Sequence, residues 1–265
     1  MKKIIDKNKF GPWAMITGAS SGIGKGFARQ LAADGLNVIL VARRISLLEE
    51  IGRQLATEFG IRYQTIQADL ADESAIKNIT EVTNDLDIGL LISNAGTGRV
   101  GKFISRTSDD LKSTVQLNAI SHLMLTHYFG IKFTKRGRGG ILLTGAMGAI
   151  DGVPYMATES GTKGFVLSLG RALHHEFRKT GVHITVLETS PTDTAIISKL
   201  GFTEKNIPMK ALSVKQCVEE ALVALGQNKV SIIPGRMYRI MNAVVPASIK
   251  RKMTGDVFQK NNNIT

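Results

Sequence analysis

The chain has 265 residues, 43% of them hydrophobic, which suits one large α/β domain or two small ones, and its one cysteine, Cys217, excludes an intrachain disulfide and suits a reducing compartment. Its apolar runs are too short to cross a bilayer, and its basic N-terminus lacks the apolar stretch of a signal peptide, so we expect a cytoplasmic protein without a transmembrane segment. The net charge of +12 would suit nucleic acid, an anionic membrane surface or an acidic carrier protein as a partner. The basic residues are scattered, however, and the sequence has neither zinc-ligand spacing nor the aromatic–basic interleaving of RNA-binding sheets. We therefore expect a solvated basic surface, no metal site and no nucleic-acid partner.

Short apolar runs alternate with amphipathic stretches along the whole chain. The runs predict seven strands, at 13–18, 37–42, 62–69, 88–93, 139–145, 182–188 and 230–235. The stretches between them predict helices, one from the glycine-rich segment at 17–24 and others near 46–58, 109–135, 159–180 and 213–226. Continuous apolar strands that alternate with helices predict a parallel sheet covered on both faces. We therefore expect one α/β domain with a parallel sheet over 12–255, with tails at 1–11 and 256–265.

The segment TGASSGIG (17–24) lies at the first strand-to-helix turn. Gly18 permits a tight turn, Gly22 lets the backbone approach a phosphate, and Gly24 lets the helix pack on the strand. The pyrophosphate of a dinucleotide would bind the unpaired N–H groups at the helix N-terminus. An ordinary glycine-rich turn is the alternative, but the strand–turn–helix context favours a nucleotide site. The candidate cofactor-binding residues here are Gly18, Ser20, Ser21, Gly22, Ile23 and Gly24.

About 20 residues further on, an acid would select NAD by bonding the ribose 2′-hydroxyl. The sequence has Arg43 and Arg44 there instead. A guanidinium group can clamp a 2′-phosphate through two hydrogen bonds. The two arginines therefore predict NADP(H) as the cofactor, and the alternative is a pair of solvated arginines at a helix start.

Four motifs together resemble the short-chain dehydrogenase/reductase family: TGASSGIG, NAG at 94–96, LN at 117–118, and Lys163 on a helix after the fifth strand. The resemblance covers about residues 12 to 235. It implies a doubly wound Rossmann-type sheet of about seven parallel strands with helices on both faces, and homodimers or homotetramers. It also implies cofactor contacts from Asp69 and Leu70 at the adenine, Asn94, Ala95 and Gly96 at the ribose pocket, Lys163 on the nicotinamide ribose, and Thr192 and Thr194 near the carboxamide.

The catalytic residues that this resemblance implies are only half present. Asn118 and Lys163 match the family pattern, but Glu159 stands where the family has its Tyr, and Ala146 stands where it has its Ser. The family's Pro-Gly after the sixth strand is replaced by Thr-Ser at 189–190. All three departures fall at the reacting end of the cofactor, whereas the phosphate end keeps its pattern.

Replacing a Tyr by Glu159 changes the kind of acid in the site. A free Tyr has a pKa near 10 and a free Glu has a pKa of about 4.3, so a glutamate is a poor proton donor and a plausible proton acceptor. A helix start and Lys163 one turn later would both favour its anion. Loss of the Ser hydroxyl removes a hydrogen bond worth about 3 kcal/mol in the transition state. Tyr155 could bend inward to replace the missing Tyr, or it could line the substrate pocket.

Three functions remain open from the sequence. The first is an NADP(H)-dependent oxidoreductase in which Glu159 is the general base. The second is a redox-neutral isomerase, dehydratase or cyclase, and the third is a catalytically silent nucleotide-binding protein. The family resemblance implies that the region 195–215 is the lid over the pocket. This region is apolar with interspersed lysines, which favours a small-molecule substrate of hydrophobic or acyl type and leaves an acyl carrier protein as a possible partner. The apolar and basic segment 236–253 could cover the pocket, pack on a second subunit or touch a membrane surface.

Overall fold

A computed structural model describes residues 3–202 and 210–264 of the chain. It contains a seven-stranded parallel sheet in the order β3-β2-β1-β4-β5-β6-β7. The strands are β1 Trp13–Thr17, β2 Asn37–Ala42, β3 Tyr63–Gln67, β4 Ile88–Ser93, β5 Gly139–Ala146, β6 Val182–Thr189 and β7 Ser231–Ile232. The predicted Rossmann-type α/β fold is therefore confirmed. The order reverses between β1 and β4, and ligands of such sheets bind at the carboxyl ends of the strands beside that reversal.

Helices cover both faces of the sheet. They are α1 Lys7–Phe10, α2 Gly22–Ala33, α3 Ile45–Phe59, α4 Ser74–Val82, α5 Ser108–Val115, α6 Ser121–Arg136, α7 Ala157–Phe177, α8 Ala195–Lys199, α9 Val214–Gly226, α10 Arg236–Val244 and α11 Ala247–Asn261. Two short 3₁₀ turns span Phe103–Ser105 and Ala149–Asp151. In the described part of the chain, no helix has the length and apolarity that a bilayer crossing needs.

The apolar core lies in two layers, one on each face of the sheet. One layer joins the strands to α2, α3 and α9, through buried residues such as Phe27, Leu48 and Leu222. The other joins them to α4, α6 and α7, through buried residues such as Phe129 and Val166. All six residues of β4 are buried, as expected for a central strand with helices on both sides.

The predicted long helix at 109–135 is divided in the structure. A π-helical turn, Gln116–Ile120, separates α5 from α6, and Asn118 lies inside it. The Asn118 side chain accepts a hydrogen bond from the Thr97 N–H at 2.8 Å and donates one to the Thr97 carbonyl at 3.0 Å. A widened turn of this kind often marks a functional site, and side-chain periodicity alone does not show it.

The segments expected to be tails pack on the domain. In α1, Phe10 is buried in the core, and the backbone N–H of Ile5 donates to Asp34. At the other end α11 continues to Asn261 and buries Phe258, so a frayed tail over 256–265 is wrong for residues 256–261. Aromatic side chains near both ends find apolar surface to cover, and this burial outweighs the polar composition around them.

Candidate functional site

The turn between β1 and α2 forms an anion cradle. Gly18 and Gly22 have φ angles of +67° and +53°, a region that favours glycine. A Cβ on Gly24 would lie 2.2 Å from the Gly18 carbonyl oxygen, so only glycine lets α2 pack this close to the turn. Ser21 caps α2 without a side-chain hydrogen bond, which leaves the first N–H groups of the helix for a ligand. This arrangement fits the pyrophosphate of a dinucleotide.

The NAG segment is held against this cradle by Thr17, at the end of β1. The Thr17 hydroxyl accepts hydrogen bonds from the backbone N–H groups of Asn94 and Ala95, both at 2.9 Å. The Asn94 amide donates to the Thr17 carbonyl at 3.2 Å. On the other side of the cradle, a Cβ on Gly22 would lie 3.2 Å from the Thr194 methyl carbon. The structure therefore brings Asn94, Ala95 and Thr194 together around the glycine-rich turn.

The two arginines lie beside the same turn. Arg44 donates from Nη2 to the Ser20 hydroxyl at 3.1 Å. Arg43 lies 3.7 Å from the Asp69 carboxylate, and both of these side chains are exposed. Leu70, next to Asp69, is buried. Exposed guanidinium groups at the end of β2 fit a nucleotide that carries a phosphate on its ribose.

At the reacting end, Lys163 and Asn118 converge on Gly96. A Cβ on Gly96 would lie 3.2 Å from both the Asn118 Oδ1 and the Lys163 Nζ. Lys163 donates to the Thr144 carbonyl at 2.7 Å. Burial lowers the pKa of the Lys163 ammonium to about 8. A lysine with a pKa this close to neutrality can lose or gain its charge when a ligand binds.

A buried histidine, His122, supports the same segment. Its Nδ1 lies 2.8 Å from the Ser93 hydroxyl, and its Nε2 lies 3.0 Å from the Ala95 carbonyl oxygen. Burial, and then the charge of Lys163, hold the pKa of His122 well below its ordinary range. The imidazole is therefore neutral, with Nε2–H donating to Ala95 and Nδ1 accepting from Ser93.

The carboxylate of Glu159 is paired with an arginine that the sequence did not single out. Glu159 lies in the first turn of α7 and is buried, and its Oε1 accepts a hydrogen bond from the Arg106 Nη1 at 2.7 Å. Its Oε2 is buried and has no hydrogen-bond partner among residues 3–202 and 210–264. Lys163, which we expected to stabilise this anion, bonds the Thr144 carbonyl instead. Arg106 therefore supplies the charge that we had assigned to Lys163.

Arg106 is itself held in place by two further partners. Its Nε donates to Asp110 at 2.7 Å, and its Nη2 donates to the Thr114 hydroxyl at 2.7 Å. Hydrogen bonds to Asp110 and then to Glu159 raise the pKa of Arg106 above its ordinary value. A second arginine, Arg99, also pairs with Asp110 at 3.1 Å. Two guanidinium groups and two carboxylates thus form one charge-balanced cluster next to the first turn of α7.

The hydroxyls of Thr189, Ser190 and Thr192, at and after the end of β6, all bond backbone carbonyls. Ala146 and Thr189 are register partners at the ends of β5 and β6. The Thr189 hydroxyl donates to the Gly145 carbonyl at 3.0 Å, and the Ser190 hydroxyl donates to the Pro234 carbonyl at 3.0 Å. Thr192 likewise bonds the Ser190 carbonyl at 2.8 Å. None of these three hydroxyls therefore replaces the one that Ala146 lacks.

Tyr155 lies on the loop before α7, as the sequence predicted, and its side chain is half-buried. Its φ angle is +62°, which is unusual for a bulky residue. Its carbonyl accepts a hydrogen bond from the Gly101 N–H at 2.9 Å, which ties the loop to the segment that follows β4. Its phenol makes no hydrogen bond within the described part of the chain. In the described part of the chain, no hydrogen bond joins Tyr155 to Lys163 or to Asn118.

Apolar side chains from two segments, the loop before α7 and the helix α8 with its C-cap, gather around Gly98. A Cβ placed there would lie 3.4 Å from the Met156 Cε, 3.6 Å from the Ile196 Cδ1 and 3.7 Å from the Leu200 Cδ2. Ile196 belongs to α8, so the start of the predicted lid lies over this segment. Residues 203–209 of the predicted lid fall outside the described residues. The lining around Gly98 is therefore apolar.

Comparison with known proteins agrees with this architecture. Residues 12–205 match the family model described as short chain dehydrogenase. The chain is 35% identical over 231 residues to a very-long-chain 3-oxoacyl-CoA reductase from Neurospora crassa, an alignment that covers 85% of this chain and 68% of that protein. It is 28% identical over 233 residues to a 7β-hydroxysteroid dehydrogenase from Collinsella aerofaciens, covering 87% of this chain and 88% of the relative.

Solved structures give the same result. A 7β-hydroxysteroid dehydrogenase has a TM-score of 0.84 at 25% identity, covering 94% of this chain and 98% of its own. A short-chain dehydrogenase from Sphingobium yanoikuyae in complex with NADPH has a TM-score of 0.80 at 27% identity, covering 96% of both chains. With the match over residues 12–205, these similarities show that the chain belongs to the short-chain dehydrogenase family.

Proposed function

We propose that this chain is an NADP(H)-dependent oxidoreductase whose proton-transfer group is Glu159, paired with Arg106, instead of the Tyr of its family. The observation that carries the proposal is the buried Arg106–Glu159 contact beside a complete nucleotide cradle. The phosphate end has the glycines that a close-packed turn requires, and the reacting end has a buried anion with its own cation. Burial of a carboxylate costs free energy, and a neutral side chain at position 159 would avoid that cost. A glutamate at this buried position is therefore easier to explain if it has a role in the site.

NADP(H) is the cofactor that these residues fit. The uncapped start of α2 offers N–H groups to the pyrophosphate, and Arg43 and Arg44 offer positive charge to a 2′-phosphate. The family match and the NADPH complex of the Sphingobium relative support the same choice. Asp69 and Leu70 lie at the adenine, and Thr192 and Thr194 lie near the carboxamide. The chemistry that this cofactor supplies when bound is hydride exchange at its nicotinamide ring.

The proton of a substrate hydroxyl passes to the Oε2 of Glu159. This oxygen is the one that Arg106 leaves without a partner, so it can accept a hydrogen bond from a hydroxyl group. Arg106 compensates the charge of the carboxylate, and a carboxylate accepts a proton more readily than it donates one. The residues therefore favour oxidation of an alcohol, in which the O–H proton would go to Glu159 and the hydride from the carbon would go to bound NADP⁺.

Lys163 and Asn118 organise the same end of the site. The buried ammonium of Lys163 is adjacent to Gly96, where it can donate to the ribose of the nicotinamide. Asn118 holds the backbone of Thr97 through both atoms of its amide, which fixes the loop that forms the floor of the pocket. Tyr155 lines the pocket in this proposal. None of these groups donates to a substrate oxygen as the family's Ser would.

The substrate is a bulky hydrophobic or acyl-type alcohol or ketone. The apolar side chains of Met156, Ile196 and Leu200 beside the reacting end support this class. The relatives in the comparison carry the names of a very-long-chain 3-oxoacyl-CoA reductase and a hydroxysteroid dehydrogenase, which also have large apolar substrates. We further propose a cytoplasmic homodimer or homotetramer. Exposed apolar residues on α6 and α7, Met124, Ile131 and Phe165, are available for such contacts.

A catalytically silent NADP(H)-binding protein is the second candidate. It is favoured by one observation: the Oε1 of Glu159 is engaged by Arg106 while Ala146 provides no hydroxyl to a carbonyl oxygen. A redox-neutral enzyme would form product without oxidising or reducing the cofactor, which distinguishes it from both candidates.

The test is a panel of hydrophobic alcohols and ketones, incubated with the purified protein and either NADP⁺ or NADPH. We expect an absorbance change at the nicotinamide band with at least one alcohol, and a loss of at least about 100-fold in that rate in Glu159→Gln. The matched control is Glu188→Gln, since Glu188 is another buried glutamate that pairs with an arginine, Arg171, outside the site. Product without an absorbance change would point to redox-neutral chemistry, and absence of any product while NADPH still binds would favour the silent protein.

A further inference from the structure

The C-terminal helices present an apolar surface to solvent. Five large apolar side chains on α10 and α11 are between 44% and 69% exposed: Met237, Ile240, Val244, Ile249 and Met253. Those on α10 are separated by three and four residues, so they lie along one side of that helix. The inward sides of the two helices are already occupied, because Tyr238 and Phe258 are buried against the domain. The exposed residues are therefore a second apolar face, which we call the C-terminal face.

One lysine fastens this face to the domain. Lys250, near the start of α11, donates to the Asn242 side chain of α10 at 3.1 Å and pairs with Asp151 at 2.5 Å. The next residue, Arg251, donates to the Asp151 carbonyl at 2.9 Å. These contacts place Ile150, which is also exposed, next to α11. These contacts fix α10 and α11 relative to each other and to the 3₁₀ turn that carries Ile150.

Positive charge surrounds the C-terminal face. Residues 236–255 contain five basic side chains and no acidic one: Arg236, Arg239, Lys250, Arg251 and Lys252. Arg239 pairs with Glu220, and Lys250 pairs with Asp151. Arg236, Arg251 and Lys252 are exposed and have no carboxylate partner among the described residues. A second copy placed symmetrically on this face would bring like charges together, whereas an anionic surface would complement them.

We propose that the C-terminal face binds the surface of an anionic membrane, with the apolar side chains in the acyl boundary and the uncompensated basic residues at the headgroups. An interfacial helix with apolar residues on one side and Lys or Arg beside them binds in this way, and it needs no bilayer-spanning segment. Binding strength then rises with the content of anionic lipid and falls with salt.

The position of α11 connects this surface to the candidate site. A Cβ on Gly255 would lie 3.3 Å from Pro154, the residue before Tyr155. Phe258 contacts Phe202, which follows the lid helix α8, with ring centroids 5.5 Å apart. The helix therefore touches both the loop before α7 and the chain after α8. A membrane bound to the C-terminal face would lie on the other side of α11 from these two segments.

Vesicle co-sedimentation tests this proposal without any need for activity. The protein is mixed with vesicles of phosphatidylcholine alone or of phosphatidylcholine with phosphatidylglycerol, at low and high salt. We expect sedimentation with the anionic vesicles at low salt, and a loss of at least about tenfold in apparent affinity in Ile240→Ser with Ile249→Ser. The control is Val82→Ser with Val223→Ser, because these two residues are similarly exposed, at 48% and 43%, on α4 and α9.

A second variant, Arg236→Ser with Lys252→Ser, separates charge from apolar contact. We expect it to weaken binding to anionic vesicles and to remove most of the salt dependence. The proposal is overturned if the wild-type protein does not sediment with anionic vesicles, or if the Ile240 and Ile249 variant binds them as well as its control. It is also overturned if that variant instead lowers the molecular mass in solution, which would assign the face to contacts between copies of the chain.

Discussion

The Arg106 guanidinium donates a hydrogen bond to the Oε1 of Glu159 at 2.7 Å, and both side chains are more than nine-tenths buried. The contact joins the segment after β4 to the first turn of α7, 53 residues apart in sequence. A buried carboxylate and a buried guanidinium each lose hydration, so each requires the other. This pair therefore restricts which residues can be changed singly at the reacting end of the site.

Removal of the arginine should destabilise the fold. Arg106→Ala leaves the Glu159 carboxylate buried without its cation, and we expect a loss of about 3–5 kcal/mol in the free energy of unfolding. Urea denaturation at neutral pH measures it. The control is Arg29→Ala, which breaks an exposed pair with Glu58 and should cost less than about 1 kcal/mol. Similar small losses in both variants would mean that the buried pair adds nothing to stability.

The same pair determines how the family's residues can be restored. In our proposal, Glu159→Tyr with Ala146→Ser restores the family's Tyr and Ser but leaves Arg106 with a buried charge and one carboxylate fewer. We expect this double variant to be less stable than the wild type by about 3 kcal/mol or more, and the addition of Arg106→Met to recover much of the loss. We expect NADPH-dependent reduction of simple ketones from the triple variant. Equal stability of the double and triple variants would contradict this account.

The sequence predicted the fold well because the fold depends on signals that are local. Apolar runs of strand length and the helices between them follow from side-chain periodicity, and all seven strands lie where these runs predicted them. The cradle could also be predicted from the sequence, because its glycines are required by the backbone geometry of eight consecutive residues. Tyr155 was correctly placed on a loop from its position after Pro154.

The partner of Glu159 could not be found in this way. The chain has 34 basic residues, and nothing local distinguishes Arg106 from the others. The helical neighbour Lys163 was the natural choice at four residues' separation, but its ammonium lies against the Thr144 carbonyl. The π-helical turn at Asn118 was missed for a related reason, since it goes with hydrogen bonds to Thr97, 21 residues away. Contacts between distant segments decided both outcomes.

Two glycine substitutions, one in the cradle and one on α7, should have opposite effects on stability. In Gly24→Ala the new Cβ would lie 2.2 Å from the Gly18 carbonyl oxygen, so α2 must move away from the turn. We expect a loss of about 1–3 kcal/mol in stability and of at least about tenfold in NADPH affinity. Gly161→Ala lies on the exposed side of α7 with no atom within 4 Å of its Cβ, and should add about 0.5–1 kcal/mol. Unchanged NADPH affinity in Gly24→Ala would place the nucleotide elsewhere.

The buried Lys163 should make stability depend on alkaline pH. Burial lowers the pKa of its ammonium from 10.5 to about 8, so between these values the unfolded chain holds a proton that the folded chain has released. The free energy of unfolding therefore gains a contribution that rises with pH across this window. The measurement compares urea denaturation of the wild type and Lys163→Met from pH 8 to about pH 10.5. We expect the difference between the two proteins to grow in favour of the wild type as pH rises, and a constant or reversed difference would be inconsistent with a neutral, buried Lys163.

The preference for the phosphorylated cofactor should depend on the two arginines. Arg43→Ala with Arg44→Ala removes both guanidinium groups near the cradle, and each hydrogen bond to a charged group is worth about 1.5–3 kcal/mol. We expect NADPH affinity to fall by at least about 100-fold while NADH affinity changes little. Arg53→Ala, an exposed arginine on α3, is the control. Equal losses for both cofactors would assign the arginines to the fold and not to the 2′-phosphate.

The most direct test of the central claim is an equilibrium titration of the wild-type protein with NADPH and with NADH, followed by nicotinamide fluorescence. The account predicts saturable binding of NADPH, with an affinity at least about tenfold above that of NADH, because the cradle and both arginines are in place. It also predicts that Glu159→Gln binds NADPH nearly as well as the wild type, since this residue acts on the substrate's proton. Absence of binding to either cofactor would contradict the account, and equal affinities would remove the role given to Arg43 and Arg44.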